Sequence, residues 1–116
     1  MSASYAGDLT VNFASHQVAR AGQTVPLTSI EYRLLFQLVR NAGHVVPRET
    51  LLARVWGDEF RDQTDYLKVY INRLRAKLEP DPERPRLILT ERGLGYRLVR
   101  TPTPAEPPQR ARRRQP

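Results

Sequence analysis

The sequence predicts an α+β domain, with short strands at the N-terminal end, three helices in the middle and a β-hairpin at the C-terminal end. Three observations carry that prediction. Before Thr28 the apolar residues partly alternate, whereas in three runs between Ile30 and Leu78 they recur at helical spacing. Three prolines within residues 80–85 stop the last helical run. Beyond them, two β-rich runs flank a turn that carries Gly93. With 116 residues, 40% of them hydrophobic and 27% charged, the chain has the means to bury one modest core.

Residues 1–7 hold no such pattern and are expected to be disordered, which sets the domain at 8–100. Asp8 to Phe13, Gln17 to Arg20 and Gln23 to Leu27 are short segments broken at Ala14-Ser15 and Ala21-Gly22, as in a small antiparallel sheet. Pro26 is tolerable there only at an edge. Thr28-Ser29-Ile30-Glu31 is a capping-box pattern, and Ile30, Leu34, Leu35 and Leu38 continue it as a helix that ends near Asn41-Ala42-Gly43. His44-Val45-Val46 leaves room for a single extended pair. A short second helix spans Arg48 to Trp56, with Leu51, Leu52 and Val55 as its apolar stripe and Gly57 at its end.

The third helix, Thr64 to Leu78, organises the chain. At about 100° per residue, Leu67, Ile71, Leu74 and Leu78 share one side, with Tyr70 at its edge. Asp65, Val69, Asn72, Arg73 and Ala76 take the opposite side, flanked by Lys68 and Arg75 on one edge and Lys77 on the other. That polar face has the groups needed to read base edges while its neighbours hold phosphates. An ordinary solvated basic face is the plain alternative. The acidic loop Asp58, Glu59, Phe60, Arg61, Asp62 joins the second and third helices, a helix-turn-helix arrangement with a lengthened connection. Arg86 to Thr90 and Gly95 to Val99 form the hairpin, with Arg92 at its tip, and a basic hairpin directly after such a helix is a wing. Residues 101–116, with five prolines, four arginines and no large apolar side chain, are expected to be disordered.

Charge placement points the same way. Residues 1–62 are neutral overall, 63–100 carry +4 and 101–116 carry +3, within a formal total of +7. A basic second half favours nucleic acid as partner, and without a basic amphipathic helix bearing exposed aromatics a membrane surface is not expected. The N-terminus has neither the basic nor the apolar region of a secretory signal, so a cytoplasmic location is expected. Zero cysteines exclude disulfides, thiolate metal sites and cysteine nucleophiles, and His16 and His44 lack ligand spacing. No metal, cofactor or catalytic set is expected, hence no enzyme.

The segments LTSIEYRLLFQLVRNAGHVV, LLARVWG, YINRLRAKLE and TERGLGYRLV together resemble the successive signatures of the OmpR/PhoB-type winged-helix DNA-binding domain, over about residues 8–99. DYLKVYINRLRAKLEPDPERPR is similar in particular to the Kdp-type branch, regulators of a potassium-uptake operon. The resemblance implies a winged helix-turn-helix with an N-terminal four-stranded antiparallel sheet, three helices and a C-terminal β-hairpin wing. It also implies the output half of a two-component response regulator, with a receiver domain and an upstream histidine kinase if the protein is longer. Double-stranded DNA would be bound at promoter direct repeats by a head-to-tail homodimer, with RNA polymerase met by loop 57–63 through Asp58, Glu59, Phe60 and Arg61. Carried over by position, Val69, Asn72 and Arg73 face bases, Arg48, Trp56, Arg75 and Thr90 face phosphates, and Arg92 faces the minor groove. Lys68 and Lys77 join the phosphate set as flanking charges.

The chain departs from the family pattern in three places. Pro47 stands where a Ser or Thr cap is common, Asp65 where relatives can carry a base, and Asn72 where an Arg is possible, which moves preference from guanine towards adenine. The rival reading from another class is a winged-helix adaptor whose basic face docks on an acidic protein.

Overall fold

The computed structural model describes residues 2–5 and 8–100. Strands β1 (Ser2–Tyr5), β2 (Leu9–Asn12), β3 (Gln17–Arg20) and β4 (Gln23–Val25) form an antiparallel sheet in chain order. Helices α1 (Ser29–Val39), α2 (Arg48–Val55) and α3 (Thr64–Leu78) follow, with β5 (Val45–Pro47) between the first two. The chain closes with β6 (Ile88–Glu91) and β7 (Gly95–Leu98), and β7 lies between β5 and β6 in a second, three-stranded sheet. This is the winged helix-turn-helix of the sequence reading, including the four-stranded sheet. The expected disorder of 101–116 concerns residues outside those described.

One expectation is overturned at the start of the chain. Residues 2–5 are not disordered; they pair with β2 from Ser2 opposite Asn12 to Tyr5 opposite Leu9. Small polar residues carry no alternation signal, and it is the neighbouring strand, with Leu9 and Val11 fully buried, that offers the unpaired edge.

The helices form where the local chemistry directs. The Thr28 hydroxyl accepts the Glu31 amide at 3.2 Å, and the Glu31 carboxylate accepts the Thr28 amide at 2.9 Å. Helix α1 ends at Arg40, short of Gly43, whose φ of +89° turns the chain so that its amide donates to the Leu98 carbonyl at 2.8 Å. Pro47 precedes α2 without a side-chain cap, as its sequence position required. Gly95 serves a purpose other than backbone freedom: a Cβ there would overlap the Val46 carbonyl oxygen, so glycine lets β7 close on β5.

All three helices share one core. Leu34, Leu35 and Leu38 of α1, Leu51 and Leu52 of α2, and Leu67, Ile71 and Leu74 of α3 are each fully buried, joined by Leu9 and Val11 from the first sheet and by Ile88 and Leu98 from the second. Burying one such side chain contributes roughly 1.5–3 kcal/mol. The apolar side of α3 is therefore committed inward, and its polar side must face out.

Candidate nucleic-acid interface

Asp65, Lys68, Val69, Asn72, Arg73 and Ala76 are all exposed on α3, and Val69 at 48% exposure is an uncovered apolar contact among them. Asp65 lies in the first turn of the helix, where its charge complements the positive end of the dipole; this gives the acid a structural reason for standing where a base is possible.

The wing is held to α3 by two side chains. The Arg75 Nε and Nη2 donate to the Ile88 carbonyl at 3.1 and 2.9 Å, and Nη2 also donates to the Thr90 hydroxyl at 2.8 Å. Burial lowers the Arg75 guanidinium from its usual pKa, opposed by Tyr96 and Glu79. Glu79, read from sequence only as the end of the helix, is 2% exposed. Its carboxylate accepts the amides of Arg86 (2.8 Å), Leu87 (3.0 and 2.9 Å) and Ile88 (2.7 Å), while its carbonyl accepts Arg20 Nη1 from β3 at 2.9 Å. The proline-rich turn thus returns the chain onto the helix that it left.

Arg92 is exposed in the wing turn, where Gly93 has φ +75° and Leu94 is 62% exposed. Across the wing, Arg97 Nε donates to Glu91 at 2.8 Å, which stiffens the hairpin behind its tip. Arg48 opens α2 beside this turn, its amide 3.4 Å from the Leu94 carbonyl. Its Nε is buried with no hydrogen-bond partner among the described residues. Arg48 thus lies beside the wing turn, and Thr90 is joined to α3 through Arg75.

Other predicted positions make contacts within the fold. Lys77 donates to Glu31 Oε1 at 2.6 Å and to the Pro26 carbonyl at 3.2 Å, tying the end of α3 to the start of α1. Burial pushes the Glu31 carboxyl up, but hydrogen bonds from Lys77 and Thr28 and the Lys77 charge outweigh it, so the group titrates below its ordinary value. Trp56 packs against Tyr66 and Tyr70, with ring centroids 5.1 Å away in each case. Phe60 is half-buried and meets Tyr66 edge-on at 6.3 Å, so it belongs to the same cluster. The loop itself contains a one-turn 3-10 helix, Asp58–Phe60, with Asp58, Glu59 and Arg61 exposed and Arg61 paired to Asp58 at 3.0 Å. A hydrogen bond to Tyr70 holds the Tyr66 phenol above its ordinary value.

A family model described as "Transcriptional regulatory protein, C terminal" matches residues 22–98. The chain belongs to this family. Its members here are the OmpR/PhoB-type DNA-binding domains. The KDP operon transcriptional regulatory protein KdpE of Escherichia coli K12 is 46% identical over 92 residues, covering 79% of the chain and 41% of that protein. The OmpR/PhoB homologue DrrB of Thermotoga maritima superposes with a TM-score of 0.77 at 35% identity, over 84% of this chain and 44% of its own. The DNA-binding domain of Klebsiella pneumoniae RstA, solved in complex with the RstA box, gives 0.73 at 32% identity, over 84% of this chain and 96% of its own. The chain spans about two fifths of the length of the curated relatives it matches. No helix of the described residues is long and apolar enough to cross a membrane.

Proposed function

We propose that this OmpR/PhoB-type domain binds double-stranded DNA sequence-specifically, with α3 in the major groove and the β6–β7 wing at the minor groove. The observation that carries this is the division of labour on α3. Arg75 and Lys77 are taken by carbonyl and carboxylate partners, whereas Lys68, Val69, Asn72 and Arg73 stand exposed on one continuous strip. Val69, Asn72 and Arg73 then read bases, Lys68, Arg48 and Thr90 hold phosphates, and Arg92 enters the minor groove. Arg75, Lys77 and Trp56 support the frame that aims them. That the RstA DNA-binding domain, of the same fold, was solved in complex with the RstA box supports DNA as the partner.

In this reading the chain is the output part of a response regulator, driven by a receiver domain and a histidine kinase in the cytoplasm. It binds promoter direct repeats as a head-to-tail homodimer, and Asp58, Glu59 and Arg61 at the exposed rim of loop 57–63 meet RNA polymerase. Selection of bound sequences from a random DNA pool, followed by a salt-titrated gel shift on the selected tandem site, tests it. Arg73→Ala is expected to cost about 1–3 kcal/mol and to relax discrimination at one base position. A uniform loss on selected and random DNA removes the base-reading role. Binding with no sequence-dependent component would return the domain to the adaptor reading.

A further inference from the structure

The Arg73 guanidinium lies over the ring of Tyr70, its central carbon 4.8 Å from the ring centroid. Among the described residues no carboxylate or carbonyl holds this arginine, in contrast to Arg75 two positions on. Tyr70 is itself half-buried against the core, and its ring is met edge-on by Trp56 at 5.1 Å and by Tyr66 at 5.3 Å. Trp56 caps the end of α2, so the support for the ring crosses from one helix of the helix-turn-helix to the other.

A guanidinium centred over a ring is attracted to the ring face, and in the parallel arrangement its N–H donors, which lie in its plane, stay free at the edge. Those donors are the ones that make a paired contact to a base edge. A long, exposed arginine ordinarily gives up several rotatable bonds when it binds, and a stack that selects its orientation beforehand removes part of that entropic cost. On the reading that Arg73 faces a base, we propose that Tyr70 is a positioning residue that presents the Arg73 guanidinium edge-on to DNA and so sets how sharply that base is discriminated. Tyr70 acts through Arg73, and Trp56 and Tyr66 act by holding Tyr70.

The test uses the full chain and the tandem site selected with it. Dissociation constants are measured on that site, on each single-base variant of it and on random DNA, for the unaltered chain, Tyr70→Phe, Tyr70→Leu, Arg73→Ala and the Tyr70→Leu/Arg73→Ala double variant. Tyr70→Phe keeps the ring and is expected to keep discrimination. Tyr70→Leu is expected to lose about two- to fivefold at the same base position that Arg73→Ala relaxes, with random-DNA affinity unmoved. In the double variant the Leu substitution adds nothing further. Full discrimination by Tyr70→Leu, or additive losses, overturns the assignment while leaving Arg73 as a base reader. A uniform loss in Arg73→Ala alone overturns the reading of Arg73, and the role of Tyr70 with it. Should Tyr70→Leu fail to fold, the Arg73 side-chain protons decide: an upfield ring-current shift in the free chain and in Tyr70→Phe is expected, and its absence from both overturns the assignment.

Discussion

The two ends of α3 are held in different ways. At the C-terminal end the contacts are polar and directional: Glu79 takes three successive backbone amides, Arg75 takes the Ile88 carbonyl and the Thr90 hydroxyl, and Lys77 takes Glu31. At the N-terminal end there is no side-chain cap on Gln63, and the helix rests on the rings of Trp56, Phe60, Tyr66 and Tyr70. Hydrogen bonds fix distance and donor angle, whereas ring contacts hold through buried area and edge-to-face geometry. The polar contacts at the C-terminal end therefore set where the wing lies relative to the exposed polar face of α3, and Arg75 and Lys77 are engaged in those contacts. Lys68, at the ring-packed end, and Arg73, over the Tyr70 ring in the middle of the helix, have no carboxylate partner among the described residues.

Breaking the C-terminal end at its most buried point has the largest expected effect. Glu79→Ala strands the buried amides of Leu87 and Ile88 and is expected to lower the unfolding free energy in urea by about 3 kcal/mol or more. A loss under 1 kcal/mol would mean that the return of the chain onto α3 is held by the apolar contacts alone.

Next in size is the contrast between Arg75 and Lys68, two cations on the same edge of α3. Arg75→Ala is expected to destabilise the fold by roughly 1–3 kcal/mol and to weaken DNA binding with an unchanged salt slope, because its donors serve the wing. Lys68→Ala should leave stability alone and lower the slope by about one unit. Exchange of these two outcomes would reverse the roles given to them.

The smallest effect is at Lys77, which is partly exposed beside a buried Glu31, at 36% and 3% side-chain exposure. Lys77→Met is expected to cost about 1 kcal/mol near neutral pH. The Glu31 carboxyl is lowered in the folded state, so its contribution is present above the unfolded value of about 4.3 and is lost as pH falls through the folded value. Urea titrations of both chains between about pH 3 and pH 7 should show the acid decline reduced in Lys77→Met; parallel curves would remove the ion pair from the acid response.

Much of the frame was legible because its signals are local. The boundaries of α3, the Thr28–Glu31 capping box and the exposed strip of Lys68, Val69, Asn72 and Arg73 lie within a few residues of the features that announce them. Strand β1 was missed because Ser2-Ala3-Ser4-Tyr5 has nothing to distinguish it until Leu9–Asn12 is beside it. The resemblance implies partner contacts for Trp56 and Phe60, but not their half-burial, which depends on Tyr66 and Tyr70 turning back from α3.

By itself, the sequence determined which face of α3 is apolar, where each helix begins and that a glycine-bearing turn separates the last two strands. Period, capping and chain stiffness act over distances of a turn or less. Only the tertiary structure decided which charges remain for a partner. Glu79 meets amides seven to nine residues on, Arg75 a carbonyl thirteen on and Lys77 a carboxylate forty-six back, and a charge so paired has already exchanged its hydration for a protein contact. A helical wheel assigns a cation to a face, but the packing of three elements around that face decides whether the cation is still free to bind.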